Sequence, residues 1–154
     1  MSICLRYARD EEEAIGVLNA GFMKIFTKVD QYNPSLSFKS WVRRIMVNTA
    51  IDHYRSIQPH VNHLEISSAQ QEQIDPDVVS KVSEEEIMKL VQTLPPAYRM
   101  VFNLYAIEGY NHREIAEKLN VSEGTSKSNL AKARAKLQNM IKEHYQEDYH
   151  KYGS

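Results

Sequence analysis

The chain has 154 residues, 42% of them apolar, with 19 lysines and arginines against 20 aspartates and glutamates, a formal net charge of −1. That length suits one ordinary domain or two small ones, and the charge balance excludes a uniformly basic nucleic-acid binder, so any phosphate-binding surface must be local or completed by a partner. No apolar run of about 18 residues is present to insert in a membrane, charge interrupts MSICLRYARDEEE before a signal-peptide core could form, and the single cysteine, Cys4, excludes an internal disulfide framework and fits a reducing cytoplasm.

Five glycines, five prolines and no alternating β-rich runs predict an all-α protein. Residues 1–8 read as the tail of a helix, with Ile3, Cys4, Leu5 and Tyr7 supplying apolar bulk. Asp10 is placed to cap a second helix, whose first turn carries Glu11, Glu12 and Glu13 against the positive end of the helix dipole. Its expected inward stripe is Ala14, Val17, Leu18, Phe22, Ile25, Phe26 and Val29. Asn33-Pro34 ends the pattern, and Ser37 caps a third helix from Phe38 to about residue 56. That helix mixes Phe38, Trp41, Val42, Ile45 and Met46 with Lys39, Arg43, Arg44 and Arg55, and with the polar run Asn48, Thr49, Asp52, His53 and Tyr54. Trp41 is expected mostly in the core with an edge outside, whereas Arg43 and Arg44 belong at the surface. Cations beside aromatic rings suit single-stranded nucleic acid, where unstacked bases meet rings and phosphates meet charge.

From residue 58 to 82 the periodicity dissolves, and Glu65, Glu72, Asp75 and Asp77 face only Lys81. With Pro59, Pro76 and many serines and glutamines, this stretch reads as a linker between domains spanning 1–57 and 83–154. His60 and His63 form an H-x-x-H pair, but without a second close pair no metal is assigned to them. Ser83 and Glu86 form a capping box that opens a helix through Ile87, Leu90, Val91 and Leu94. Pro95-Pro96 stops it and starts another, Ala97 to Ile107, with Tyr98, Val101, Phe102, Tyr105 and Ala106 on one side and Gly109 as C-cap.

Residues 111–141 then carry a helix-turn-helix plan. Asn111 and Glu114 form a second capping box, Ile115, Ala116 and Leu119 share one face, and Asn120 suits a left-handed helix ending. Ser122 caps the next helix, whose inward stripe is Leu130, Ala133, Leu137, Met140 and Ile141, and the last ten residues are expected to fray. Between Ser122 and Lys142 five cations (Lys127, Lys132, Arg134, Lys136, Lys142) face one acid, Glu123, beside the donors Thr125, Ser126, Ser128 and Asn129. Such a mixture is what anchoring to a phosphate backbone requires.

Three stretches resemble the sigma-70 family of bacterial transcription initiation subunits, in its extracytoplasmic-function group. Leu5 to Ala14 (LRYARDEEEA) resembles the opening of region 2.2, and Ser37 to Arg55 (SFKSWVRRIMVNTAIDHYR) is similar to regions 2.3 and 2.4. Leu94 to Arg99 (LPPAYR), Ser122 to Ser128 (SEGTSKS) and Ala133-Arg134 resemble region 4. The resemblance implies two helical domains that bind core RNA polymerase and promoter DNA in the cytoplasm, with no cofactor, and with an anti-sigma factor as regulatory partner. It implies that Lys39, Trp41, Arg43, Arg44 and Asn48 open and hold the −10 element. It further implies that Thr125, Lys127, Ser128, Asn129, Lys132 and Arg134 face the −35 element in the major groove. Three departures stand out. The segment that usually precedes Cys4 is short. The amide-rich and acidic patch that grips polymerase in region 2.2 is replaced by Gly16-Val17-Leu18-Asn19-Ala20-Gly21-Phe22. Ser126 stands where an apolar residue, commonly valine, packs the recognition helix, so its hydroxyl needs a local partner if buried.

Two other readings stay open on sequence alone: a stand-alone helix-turn-helix regulator, and a sigma-like module that has lost polymerase binding and acts as a decoy or interaction module. An enzyme is not expected, since the chain shows no Gly-rich phosphate loop, no catalytic triad and no metal-ligand cluster.

Overall fold

The computed structural model describes residues 1–58 and 82–152, the last eight as helical backbone. The acidic stretch 59–81, with His60 and His63, lies outside the described residues. Every α, 3-10 or π element is helical, and the chain divides into two compact units, 1–63 and 64–154.

The first unit packs three helices: α1 (Ser2–Tyr7), α2 (Glu11–Lys28) and α3 (Phe38–Ile57). The cap on α2 forms as its sequence dictates, the Asp10 carboxylate accepting from Glu13 N–H at 2.9 Å. Ser37 Oγ accepts from Ser40 N–H to start α3. Cys4, Tyr7, Ala8, Ala14, Val17, Ile25, Met46, Val47, Ala50 and Ile51 make the core. Burial pushes the Cys4 thiol pKa up and keeps it a neutral core group. Glu13 Oε1 and His53 Nε2 lie 2.9 Å apart, and Lys24 reaches Asp52 at 2.9 Å, so two polar ties also clamp α2 onto α3.

Two parts of the expected inward pattern are corrected here. Along α2 the buried line is Ala14, Val17, Gly21 and Ile25, while Phe22, Phe26 and Val29 are exposed, Phe26 by 72%. The reason is steric: a Cβ built on Gly21 would lie 2.3 Å from Met46 Sδ, so the helices meet backbone to side chain at the glycine and the phenylalanines turn outward. Along α3 the core comes from the middle and C-terminal turns, and Phe38 is exposed while Trp41 is half-buried.

The second unit is a four-helix arrangement: α4 (Glu84–Thr93), α5 (Pro96–Phe102), α6 (His112–Leu119) and α7 (Glu123–Tyr152). Both capping boxes are present, at Ser83–Glu86 and Asn111–Glu114. Val91, Leu94, Ala133 and Leu137 form one buried cluster with Ile87, Leu90, Tyr98, Phe102 and Met140 packed against it. Arg99 is buried and its Nη2 donates to the Leu94 carbonyl at 2.8 Å, placing a cation at the C-terminal end of α4 where the helix dipole favours it.

After Phe102 the helix widens into a π turn, Asn103–Ile107, with Glu108 N–H donating five residues back to the Asn103 carbonyl. The wider turn shifts the register, so Leu104 is buried and Ala106, expected inward, is exposed. Gly109 adopts φ +79° beyond this turn. Asn120 takes the left-handed conformation (φ 54°, ψ 50°) between α6 and α7, and Ser122 Oγ accepts from Thr125 N–H at 3.0 Å to start α7. The last ten residues do not all fray, because no glycine or proline stands between Gly124 and Gly153 and helical backbone continues through Tyr152.

Two substitutions test these joints. Gly21→Leu is expected to destabilise the first unit by about 1–3 kcal/mol by forcing Met46 out of its seat. Asn120→Gly is expected to be neutral within about 0.5 kcal/mol and Asn120→Val to cost about 1–2 kcal/mol. Chemical denaturation of each variant reads both.

Candidate nucleic-acid interface

Each unit presents one surface of interest. In the first, the outward side of α3 carries Trp41, Arg44, Asn48 and Arg55, spaced three, four and seven residues apart and therefore on one face. Asn48, Arg44 and Arg55 are exposed. Lys39 is also exposed, but it shares a different face with Arg43, which is half-buried. The structure thus brings together three of the five residues assigned to this surface, Trp41, Arg44 and Asn48, and sets Lys39 and Arg43 to their side.

What the sequence reading missed is how Trp41 is held. Its ring lies 5.3 Å from Tyr32 and 5.8 Å from Phe38, and the latter two meet edge to face at 5.3 Å. Tyr32 OH donates to the Leu36 carbonyl at 2.6 Å and fixes the loop before α3. The signal was in the sequence, as aromatics at 32, 38 and 41 flanking the Asn33-Pro34 break. Three rings in mutual edge and tilted contact outside the core form a cluster with surface left for other π systems.

In the second unit α7 is buried along one stripe, Ser126, Leu130, Ala133, Leu137 and Ile141. The opposite crest is made of Gly124, Ser128, Ala131 and Ala135, small side chains that let a backbone come close. Helical spacing places Lys127 and Arg134 along one edge of that crest, and Thr125, Asn129, Lys132 and Lys136 along the other. All six residues assigned to this helix therefore lie on its outer half, divided between two edges and a crest.

Ser126 is 0% exposed, and the partner its hydroxyl needs is His112, whose Nδ1 lies 2.9 Å from Oγ. His112 opens α6 and stacks on Tyr105 of the π turn, ring centroids 4.8 Å apart. Arg134 rests over the same Tyr105 ring at 5.6 Å, and Lys118 over Tyr110 at 4.6 Å. Partial burial first, and then the positive charges of Lys127 and Arg134, pull the His112 pKa below its ordinary 6.5, against a smaller opposing influence of Glu123. Neither His112 nor Tyr105 stood out as a surface residue from spacing alone.

A helix-turn-helix with cationic edges in one unit, and a partly exposed aromatic cluster on the arginine-bearing helix of the other, define a DNA-binding protein built from two small helical domains. The sequence model for Sigma-70 region 2 matches residues 1–59 and that for Sigma-70, region 4 matches residues 84–137. The RNA polymerase sigma factor SigZ of Bacillus subtilis (strain 168) is 30% identical over 137 residues, covering 86% of this chain and 74% of that protein. The ECF RNA polymerase sigma factor SigW of the same organism is 27% identical over 154 residues, covering 92% and 82%. Among solved structures, the sigma factor RpoE in complex with the anti-sigma factor NepR from Bartonella quintana shares the fold with a TM-score of 0.54 at 20% identity, covering 91% of this chain and 88% of that one. The chain belongs to the sigma-70 family, in its extracytoplasmic-function group. It is a promoter-recognising subunit that works with core RNA polymerase and promoter DNA, not an enzyme. No helix among the described residues is long and apolar enough to cross a membrane.

One pH dependence follows from His112. Its pKa is lowered in the folded chain, so its neutral form is favoured there. The corresponding stability is fully present above the ordinary imidazole value and is lost as pH falls through the folded one. Denaturant unfolding across this range should show the second unit weakening with acid, and His112→Gln should flatten that dependence.

Proposed function

We propose that the two surfaces divide promoter recognition between them. The platform of Tyr32, Phe38 and Trp41, with Arg44 and Asn48, holds the unpaired strand of the −10 element. Lys39 and Arg43 supply flanking charge toward the phosphates. The crest and edges of α7 enter the major groove of the −35 element, where Ser128 and Asn129 meet base edges and Thr125, Lys127, Lys132 and Arg134 meet phosphates. The observation that carries this reading is the partly exposed aromatic cluster on the helix face shared by Trp41 and Arg44, since a duplex-only regulator has no use for such a platform. Strand opening then needs no hydrolysis, because binding energy captured on unstacked bases offsets the cost of unpairing. The protein acts in the cytoplasm, and an anti-sigma factor, of the kind in complex with the RpoE structure, regulates it.

Core polymerase docks on α2. Where relatives present amides and acids, this helix exposes Ile15, Phe22, Met23, Phe26 and Val29 at helical spacing on one side, with Gly16, Asn19 and Ala20 beside them. An apolar stripe of that length on a small domain marks a protein contact, and it replaces a polar grip by a desolvated one. The rival reading, a sigma-like decoy or interaction module that has lost polymerase binding, would turn the same side chains to another protein, and the co-elution test below separates the two.

Two measurements test the division of labour. With reconstituted holoenzyme, Trp41→Ala should weaken binding to a labelled single strand by roughly 5- to 100-fold, the loss of about 1–3 kcal/mol of base stacking. Lys132→Ala should spare single-strand binding, weaken duplex binding and reduce the salt slope by about 0.9. Equal losses on both probes for both variants would sink the assignment. For the docking face, Phe26→Glu should abolish co-elution with core polymerase on size exclusion while the unfolding profile is kept; retained co-elution would place the contact elsewhere.

A further inference from the structure

Ser126 and His112 form one polar joint between α7 and α6. A buried hydroxyl at a position commonly occupied by valine costs about 1–3 kcal/mol if left without a partner, and the imidazole at the start of α6 supplies that partner at 2.9 Å. The same imidazole stacks on Tyr105, and Tyr105 carries Arg134. His112 is therefore tied at one end to the buried face of α7 and at the other, through one ring, to a cation on the outer edge of the same helix. Lys127, next in sequence to Ser126, shares that edge with Arg134.

We propose that His112 is a positioning residue for duplex recognition: it sets the Lys127–Arg134 edge of α7 against the promoter backbone and takes up a proton as that backbone docks. The inference rests on the reading of α7 as the helix that enters duplex DNA. The groups that face His112 are Ser126, Glu123, Lys127 and Arg134 from α7 and Tyr105 from the π turn. In the free protein Lys127 and Arg134 oppose a third positive charge beside them. Phosphates arriving at that edge neutralise the two cations and add negative potential, which reverses the sign of the local field and favours the imidazolium.

The hydrogen bond tolerates this change. A neutral imidazole accepts a hydrogen bond from the Ser126 hydroxyl at Nδ1 or donates Nδ1–H to it, whereas an imidazolium donates Nδ1–H to Oγ and leaves the hydroxyl hydrogen to turn toward a helix carbonyl. The Ser126–His112 tie survives in both charge states, so protonation adds a phosphate partner without releasing α6 from α7. With valine at 126 the Nδ1 side of the ring would lose its partner.

The test uses the full chain and a fluorescein-labelled, mixed-sequence duplex, with anisotropy read between about pH 7.5 and about pH 5.5 at several salt concentrations. Wild type should tighten as pH falls, by up to about tenfold per pH unit where one proton is fully coupled, and its salt slope should steepen by about 0.9 at the acid end. His112→Gln keeps a side chain able to meet Ser126 and cannot titrate; it should lose most of the pH dependence and all of the steepening. The double variant His112→Phe with Ser126→Val, which replaces the polar tie by an apolar contact, should fold and show the same flat profile. A His112→Gln profile as steep as wild type would overturn the proposal, because the linked proton would then belong to another group. Duplex binding unaffected by Lys132→Ala on the opposite edge would overturn the recognition-helix reading beneath it, a failure separable from the first.

Discussion

Burial of one stripe of α7 governs what the C-terminal unit offers to a ligand. Ser126, Leu130, Ala133, Leu137 and Ile141 are held inward by α4, α5 and α6, and in a helix of fixed period this determines the direction of every other side chain. Four small residues are left on the crest and the cations along its edges. A larger residue at Ala131 or Ala135 would hold the helix away from a groove floor, whereas a change in the inward stripe would rotate or release the whole surface. Recognition and stability are thus written on opposite faces of one helix and are coupled through its orientation.

The near-zero net charge follows from the same economy. Cations concentrate on the outer edges of α7 and on α3, while acids gather in the first turns of α2 and α4, where Glu11, Glu12, Glu13, Glu84, Glu85 and Glu86 oppose the positive ends of the helix dipoles. A summed charge of −1 is therefore compatible with two local phosphate-facing surfaces. For a subunit that acts within a larger polymerase, weak overall attraction to nucleic acid limits binding to DNA in the absence of core.

Much of the fold was legible because helix ends are local chemistry. Asp10, Ser37, Ser83, Asn111, Asn120 and Ser122 each act within three or four residues of themselves, and each does so where its sequence context suggests. What was not legible depended on a neighbour distant in sequence. Phe22 and Phe26 satisfy a helical stripe on paper, yet Gly21 sits under Met46 and turns the helix by its own width. Ala106 fails for a related reason, because a π turn inserts a rotation that no 3.6-residue period contains. Trp41 is half-buried and packs on Tyr32 and Phe38, residues that no core periodicity of α3 brings to it. Of the residues assigned to the −10 surface, Arg43 and Lys39 share the right segment with the others and a different side of the helix, a distinction that composition does not carry.

The Ser126–His112 pair shows why a departure from a family pattern is informative only when its partner is found. Serine at a packing position reads alone as a defect: it removes apolar volume and adds a group that must be satisfied. Histidine at the first position of α6 reads alone as an ordinary surface residue. Joined at 2.9 Å they form a polar joint in the middle of the helix-turn-helix, and a polar joint differs from an apolar one in kind. An apolar contact holds the two helices with the same strength at any pH. A joint containing an imidazole is directional and responds to its surroundings, and here partial burial and the charges of Lys127 and Arg134 favour the neutral ring. Under the proposed docking of α7, such a joint reports on DNA where a passive packing contact would not. The proposed response needs both side chains, the histidine to titrate and the serine to anchor its inner nitrogen.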